Sequence, residues 1–240
     1  TSPLTNDVTW QSSKNAVATI DNTGLATVVA GSGTTNITAT YAGVTSSIAI
    51  LTATAAVVQS ITVSPASSTI AKGLTHQYTA TATYSDNTTS PITSGGSWQS
   101  SKIGVATIDN TGLATVVANS GTTGITVTYA GVTSPAATLT ATAAVVQSIT
   151  VSPASSTIAK GLTHQYTATA TYSDGTTSPI TSGGSWQSSN PAIATIDNAG
   201  LATVVAGSGT TNITVVYSGV TSSIATLTAT AAVVQSITVS

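Results

Sequence analysis

Charged residues are scarce in this 240-residue sequence, in which they make up 4% of the chain. The bases are all lysine, the acids are all aspartate, and the formal net charge is −2. Proteins that attract nucleic acid or anionic lipid carry clusters of basic side chains. We therefore expect no nucleic-acid partner.

Cysteine is absent, which excludes disulfides, a thiolate nucleophile and a cysteine-bound metal. Long hydrophobic runs are also missing, because Thr, Ser or Gly interrupts every apolar stretch before the roughly 18 to 20 residues that a membrane-spanning helix needs. No segment combines helical spacing of apolar residues with helix caps. Stiff β-branched residues, chiefly Thr and Val, dominate instead, so we expect an all-β fold without membrane insertion.

The sequence does contain a repeat. Trp10, Trp98 and Trp186 are 88 residues apart, and each begins a copy of the segment that runs from 98 to 129 in the middle copy. A visible period takes precedence over length in predicting domains. Units of this size can bury a core of their own as β-sandwiches.

The period predicts two complete domains and two partial ones. Residues 61–148 and 149–236 are complete copies, residues 1–60 match 89–148 and lack the first third of a copy, and residues 237–240 restart the repeat. The first copy should expose an apolar inner face and unpaired strand edges. We expect it to be completed by material from a longer or a neighbouring chain, and to be poorly protected from hydrogen exchange otherwise.

A β-hairpin is predicted directly after the tryptophan strand of the middle copy. Apolar and polar residues alternate over 105–108, a turn follows at 109–112, and a second apolar run covers 113–118. Gly112 supplies the positive φ that other residues resist.

Period-two alternation predicts the other strands of this copy. A first strand at 61–64 ends at Pro65, which cannot donate to a ladder. Residues 75–85 alternate throughout and predict one half-buried strand, central to a sheet, with His76, Tyr78, Ala80, Ala82 and Tyr84 on its inner face. A turn at Lys72-Gly73, a strand at 124–129 and a last strand to about Thr142 complete seven or eight short strands, which indicates an antiparallel sandwich.

The segment that joins consecutive copies is short and apolar. Residues 139–149 contain no Pro, Gly or charge, whereas flexible linkers are charged or rich in Gly and Ser. The last strand of one domain should pass almost directly into the first strand of the next. The sequence therefore predicts tandem antiparallel β-sandwiches in an extended rod.

These segments also resemble a known family. The succession ITVSPASSTIAKG, YTATATYSDNT, WQSS, VATIDNTGLATVVA and ITVTYAGVT resembles the bacterial immunoglobulin-like domain of group 2, in register over essentially the whole chain. The resemblance implies an immunoglobulin-like sandwich of the kind found as tandem stalk modules in bacterial adhesins such as intimin and invasin, in other giant surface proteins and in some phage virion proteins. It implies no catalytic residues.

Tryptophan and histidine are the first candidates for a binding site. Trp10, Trp98 and Trp186 could stack on sugar rings, but a core tryptophan on the central strand of a sandwich is favoured. His76 and His164 occur once per complete copy with no second His or Cys nearby in sequence, which favours strand packing over metal binding.

Charged side chains are the next candidates. Asp86, Asp109 and their copies could bind calcium, but that ion takes about six to eight oxygens and each copy holds only two carboxylates, so capping of turns is favoured. Lys72 and Lys160 could form an isopeptide bond with Asn or Asp, but the assisting Glu of such sites is absent from the chain.

The remaining motifs are weak. Asn36, Asn87 and Asn212 lie in N-x-[ST] sequons, which a chain rich in Ser and Thr acquires by chance. Gly-Ser-Gly at 31–33 and 207–209 lacks the following helix and lysine of a phosphate loop and is read as a β-turn. We predict no catalytic, cofactor-binding or metal-binding residue and no enzymatic activity, because each copy is too poor in ionisable groups for an acid–base pair.

The function that these features favour is a structural spacer or stalk of a repetitive bacterial protein at the cell surface or outside the cell. A subunit of a self-assembling extracellular filament or sheath is the first alternative, and a glycan-binding or host-protein-binding adhesin module is the second. The partners expected are further immunoglobulin-like repeats of the same or a neighbouring chain, in the extreme case a homopolymeric fibre.

Overall fold

The structure is a computed structural model that describes residues 7–234. The opening strand predicted at 237–240 and the first six residues of the incomplete copy lie outside this range. All the regular secondary structure in the described range is β-strand. This range therefore contains no helix that could cross a membrane.

We number the strands β1 to β28 in chain order. The first copy contains β1 (Thr9–Ser12), β2 (Ala18–Ile20), β3 (Ala26–Val28), β4 (Gly33–Tyr41), β5 (Val44–Thr45) and β6 (Ala49–Ala53). The middle copy contains β7 (Val58–Ser64), β8 (Ser67–Ala71), β9 (Thr75–Gln77), β10 (Thr79–Tyr84), β11 (Thr89–Pro91), β12 (Ser97–Ser100), β13 (Ala106–Ile108), β14 (Leu113–Val116), β15 (Gly121–Tyr129), β16 (Val132–Thr133) and β17 (Ala137–Thr142). The last copy contains β18 (Val146–Ser152), β19 (Ser155–Ala159), β20 (Thr163–Gln165), β21 (Thr167–Tyr172), β22 (Thr177–Pro179), β23 (Ser185–Ser188), β24 (Ala194–Ile196), β25 (Leu201–Val204), β26 (Gly209–Tyr217), β27 (Val220–Thr221) and β28 (Ala225–Thr230).

The chain divides into two compact units. Of the described residues, the first unit takes those up to Thr62 with Ala80–Gly95 and Thr128–Ser134, and the second takes the remainder. The last copy lies wholly within the second unit, so its strands show how one copy folds.

Three sheets build the last copy. The largest has the order β19-β28-β26-β23 with β27 on β26, the second has the order β18-β21-β22, and the third has the order β20-β25-β24. The middle copy repeats all of these pairings with β7 to β17. This arrangement confirms the all-β, immunoglobulin-like sandwich in tandem.

The core of the last copy combines small residues with the large side chains of Trp186 and Tyr166. Trp186 packs in a buried cluster with Val151, Tyr166, Val215 and Leu227, and five alanines from four strands belong to the same cluster. Trp186 lies opposite Val215 in the β23–β26 ladder. Alternation along each strand therefore places this face inside, as the sequence predicts.

The prediction of one long strand over 75–85 is wrong. Tyr78 interrupts it: β9 pairs with β14 in one sheet, whereas β10 is the central strand of another, between β7 and β11. The Tyr78 amide donates to the carbonyl of Gly112 at 2.8 Å, outside either ladder. Burial still alternates through the break, because Tyr78, Ala80 and Ala82 are all buried.

The prediction of a purely antiparallel sandwich also needs correction. Strand β8, which was not predicted, pairs in parallel with the last strand β17, with Ser67 opposite Thr138 and Ala71 opposite Thr142. The same pair recurs as β19 and β28. Each complete copy has eleven strands rather than seven or eight, because the strand predicted over 75–85 is divided in two and short strands such as β8 and β11 were not predicted.

The hairpin, the Lys72-Gly73 turn and the end of the last strand at Thr142 are confirmed. Strands β13 and β14 pair with Ala106 opposite Val116, and Gly112 in the turn between them has a φ of 83°.

The inner face of the first copy is exposed in part, since Ala18, Ile37 and Ala53 are buried but Val28 is not. Val28 is 49% exposed, whereas Val116 and Val204 at the same place in the other copies are 1% exposed. The sheets of the first copy are β1-β4-β5 with β6, and β2-β3.

Candidate functional site

The tryptophans lie inside the complete copies. Trp98 is 8% exposed and Trp186 is 9% exposed, which confirms that they pack in the core, whereas Trp10 is half-buried. The prediction that Trp98 and Trp186 lie on a central strand is wrong, because β12 and β23 are end strands of their sheets. A cleft of about 320 Å³ lies beside Trp186, but an indole so deeply buried presents no ring face for stacking on a sugar.

Each buried tryptophan rests on a glycine. A Cβ atom placed on Gly200 would lie 3.0 Å from Cζ2 of Trp186 and 2.6 Å from the carbonyl oxygen of Tyr166. The side-chain amide of Gln165 donates to that same carbonyl oxygen at 2.7 Å. The residues around the indole therefore hold it in place on the side of Gly200.

The two histidines pack against tyrosines. His76 contacts Tyr78 edge-to-face with ring centroids 5.0 Å apart, and His164 contacts Tyr166 at 4.9 Å. Nε2 of each histidine is buried without a hydrogen-bond partner. Within residues 7–234, no group of three or more His, Cys, Asp or Glu side chains is placed to hold a metal ion.

The aspartates cap their own turns. Oδ1 of Asp109 accepts hydrogen bonds from the hydroxyl of Thr111 at 2.7 Å, from its amide at 2.8 Å and from the amide of Leu113 at 3.0 Å. These donors, the Thr111 hydroxyl first, lower the pKa of Asp109. The carboxylate is thus used within its own turn, as the sequence favours.

A buried hydroxyl network follows each tryptophan and was missed in the sequence. Thr123 is 3% exposed, and its Oγ1 accepts from the amide of Lys102 at 2.9 Å and shares hydrogen bonds with the hydroxyls of Ser100 and Ser101. Thr35 and Thr211 have the same partners in the other copies. The repeated Trp-Gln-Ser-Ser was the available signal, since paired serines after a core strand need an acceptor nearby.

The lysines behave differently in the two complete copies. Nζ of Lys72 lies 3.2 Å from Oδ2 of Asp174, whereas Lys160 is exposed. The Thr176 hydroxyl and amide, and after them the Lys72 ammonium, lower the pKa of Asp174 from 3.8 to about 2.

The weak motifs lie on the surface. Asn36, Asn87 and Asn212 are all exposed. The Gly-Ser-Gly segments at 31–33 and 207–209 lead directly into strands β4 and β26, so no helix N-terminus follows them.

A bacterial protein shares part of its sequence with this chain. The chain is 38% identical over 206 residues to Ice-binding protein 1 of Shewanella frigidimarina (strain NCIMB 400), and the match covers 84% of this chain and 23% of that protein. The chain therefore spans less than a quarter of the length of this relative.

Solved structures with a similar chain trace include surface proteins. The surface layer protein SbsC, domains 1–6, gives a TM-score of 0.40 at 18% identity, over 94% of this chain and 35% of that one. The Escherichia coli adhesin FdeC gives a TM-score of 0.36 at 16% identity, over 93% of this chain and 82% of that one.

The family match is direct and repeated. The model of the bacterial Ig-like domain (group 2) matches residues 57–141 and again residues 145–229. The two matches start one period of 88 residues apart and together cover more than half of the chain. This protein belongs to the bacterial Ig-like domain (group 2) family.

Proposed function

We propose that this chain is a structural spacer of a bacterial cell-surface or extracellular protein, in which successive sandwiches hold another domain at a distance. The observation that carries the proposal is the connection between sandwiches. Strand β17 ends at Thr142 and β18 begins at Val146, so three residues join the middle copy to the last.

This connection is bonded to the copy that follows it. The carbonyl oxygen of Val145 accepts from the amide of Ser173 at 2.8 Å, and the Val145 amide donates to the Ser173 hydroxyl at 3.1 Å. Both backbone groups of Val145, the last of the three connecting residues, are thus bonded to the last copy, which limits how far the connection can bend. The equivalent residue Val57 makes the same two bonds with Ser85.

The reactive side chains support the same function. Trp98 and Trp186 pack in cores, the histidines pack against tyrosines, and Asp109 and Asp174 cap turns, which supports a structural function. The relative named Ice-binding protein 1 matches this chain over 23% of its own length. This is consistent with a spacer that is joined to a separate binding domain.

Cell-surface display tests the spacer function. A reporter domain would be joined to a membrane anchor through this chain carrying zero, one or two additional copies of residues 149–236. The distance from reporter to membrane, measured by super-resolution microscopy, should rise by the same step for each copy, while the affinity of the reporter for its ligand stays constant.

Three results would contradict the proposal. A distance that does not rise with copy number would remove the spacer function. Lateral bundling of the displayed chains would favour a filament or sheath subunit, and adhesion of cells that lack the reporter would favour an adhesin module.

A further inference from the structure

We propose that consecutive complete copies are locked together by a latch, which we define as the turn Lys72-Gly73 of the middle copy seated against the turn Ser173-Asp174 of the last copy. All four residues lie in the same compact unit. The latch is an interaction surface between repeats, and it would stand whether or not the chain serves as a spacer.

Two polar contacts join the halves of the latch. The hydroxyl of Ser173 donates to the carbonyl oxygen of Lys72, and Nζ of Lys72 lies 3.2 Å from Oδ2 of Asp174. The Asp174 side chain is 9% exposed and that of Lys72 is 30% exposed. Water is thus largely excluded from the carboxylate side of the ion pair.

Gly73 makes the closest approach. A Cβ atom at this position would lie 2.1 Å from the carbonyl oxygen of Ser173 and 2.4 Å from Cα of Asp174. These are backbone atoms, which cannot rotate aside, so the two turns can meet only if residue 73 has no side chain. An ion pair that is partly exposed contributes little alone, and we infer that this close fit is the main determinant of the latch.

Each half of the latch is held rigid by its own copy. The amides of Lys72 and Gly73 donate to the carbonyl oxygens of Thr142 and Val116, both at 2.9 Å. On the other side, Oδ1 of Asp174 accepts from the hydroxyl and amide of Thr176 at 2.6 and 3.1 Å. Both surfaces are therefore preorganised, which lowers the entropy lost when they meet.

The chain contains an unlatched copy of the first half. Gly161 has a φ of 86°, close to the 84° of Gly73, but no atom of residues 7–234 lies within 4 Å of a Cβ placed on it. The amides of Lys160 and Gly161 make the same two intra-copy hydrogen bonds at 2.9 Å. The turn thus forms without its partner, and the close contact at Gly73 comes from the neighbouring copy.

It also contains an open copy of the second half. Asp86 caps its turn through Thr88 as Asp174 does through Thr176, and a cleft of about 360 Å³ lies beside Ser85 and Asp86. In the described residues no Lys-Gly turn faces this cleft. Ser173 follows Lys72 by 101 residues, which is more than the period of 88. The latch therefore joins the lysine of one copy to the serine and aspartate of the next copy.

Double electron–electron resonance on the full chain tests the latch. The native sequence has no cysteine, so two spin labels can be attached without background at Thr107→Cys in the middle copy and Thr195→Cys in the last, both exposed. We expect one narrow distance distribution. Gly73→Ala should replace it with a broad one, while Gly161→Ala, which carries the same backbone strain without a neighbour, should leave it narrow.

A second pair of variants separates unlatching from misfolding. Ser173→Ala removes the hydroxyl that bonds Lys72, and Ser85→Ala removes the equivalent hydroxyl where no lysine faces it. Circular dichroism melts should show that all four variants keep folded copies. The proposal is overturned if Gly73→Ala or Ser173→Ala keeps the narrow distribution, if the unmodified pair is already broad, or if the Gly161→Ala control broadens equally.

Discussion

Replacing Trp186 by alanine is the sharpest perturbation of the sandwich core. The indole is 9% exposed and packs among side chains from β18, β21, β25, β26 and β28. Because these strands belong to different sheets, the residues around the lost ring cannot all move to fill its space. Alanine should therefore leave a cavity in the centre of the last copy.

The size of the effect follows from this burial. Trp-to-Ala changes in protein cores cost about 3 to 5 kcal/mol, and a domain of this size is stable by only about 5 to 15 kcal/mol. The substitution should remove a large part of the stability of the last copy. The middle copy has its own tryptophan and core, so it should lose much less.

Hydrogen exchange followed by mass spectrometry resolves the two copies within one chain. In Trp186→Ala, peptides from 146–230 should exchange much faster, whereas peptides from 97–129 should change little. Ile224→Ala is the matched control, because Ile224 is 59% exposed in the same copy and should have almost no effect. Unchanged protection of the last copy in Trp186→Ala would refute the assignment of the tryptophan to its core.

Three further predictions concern single residues of the last copy. In chemical denaturation, Gly200→Ala should destabilise this copy by about 1 to 3 kcal/mol more than Gly219→Ala. Both glycines have positive φ, but only at Gly200 would the Cβ lie 2.6 Å from a carbonyl oxygen, and equal losses of stability would contradict this. Thr211→Val should lower the free energy of unfolding by about 1 to 3 kcal/mol, because it leaves buried hydrogen-bond partners unbonded. The same change at the exposed neighbour Thr210 should have almost no effect, and an equally small effect at Thr211 would exclude the hydroxyl network. Since the pKa of Asp174 is lowered to about 2 in the folded chain, its contribution to stability should be complete above about pH 4 and lost as the pH falls towards 2. NMR titration of its carboxyl carbon would contradict this if it gave the ordinary pKa of an aspartate.

Local patterns in the sequence predicted the local structure correctly. The hairpin on either side of 109–112 and the burial of Trp98 follow from residues that are neighbours in sequence, or from the alternation of one strand. The alternation through Tyr78 was correctly read as an inner face. It could not show the break there, because a strand that changes sheets can keep its period of two while its hydrogen-bond partners change.

Contacts between distant segments were not predictable in the same way. The parallel pairing of β8 with β17 joins residues about 70 positions apart, and nothing in the short segment Ser67–Ala71 specifies the direction of its partner. The latch is more distant still, because Lys72 and Ser173 are 101 residues apart. The repeat predicts that a copy follows Lys72, but nothing in the two turns shows that they come into contact.

The proposed spacer function requires that successive copies extend the chain by equal and stiff steps. Small-angle X-ray scattering would measure the maximum dimension of the native chain and of versions with one and two added copies of residues 149–236. Strands of about eight residues at about 3.3 Å per residue, with their turns, predict an increase of roughly 35 to 45 Å for each copy. A maximum dimension that stays constant, or that grows by ever smaller steps as copies fold back on one another, would contradict the account.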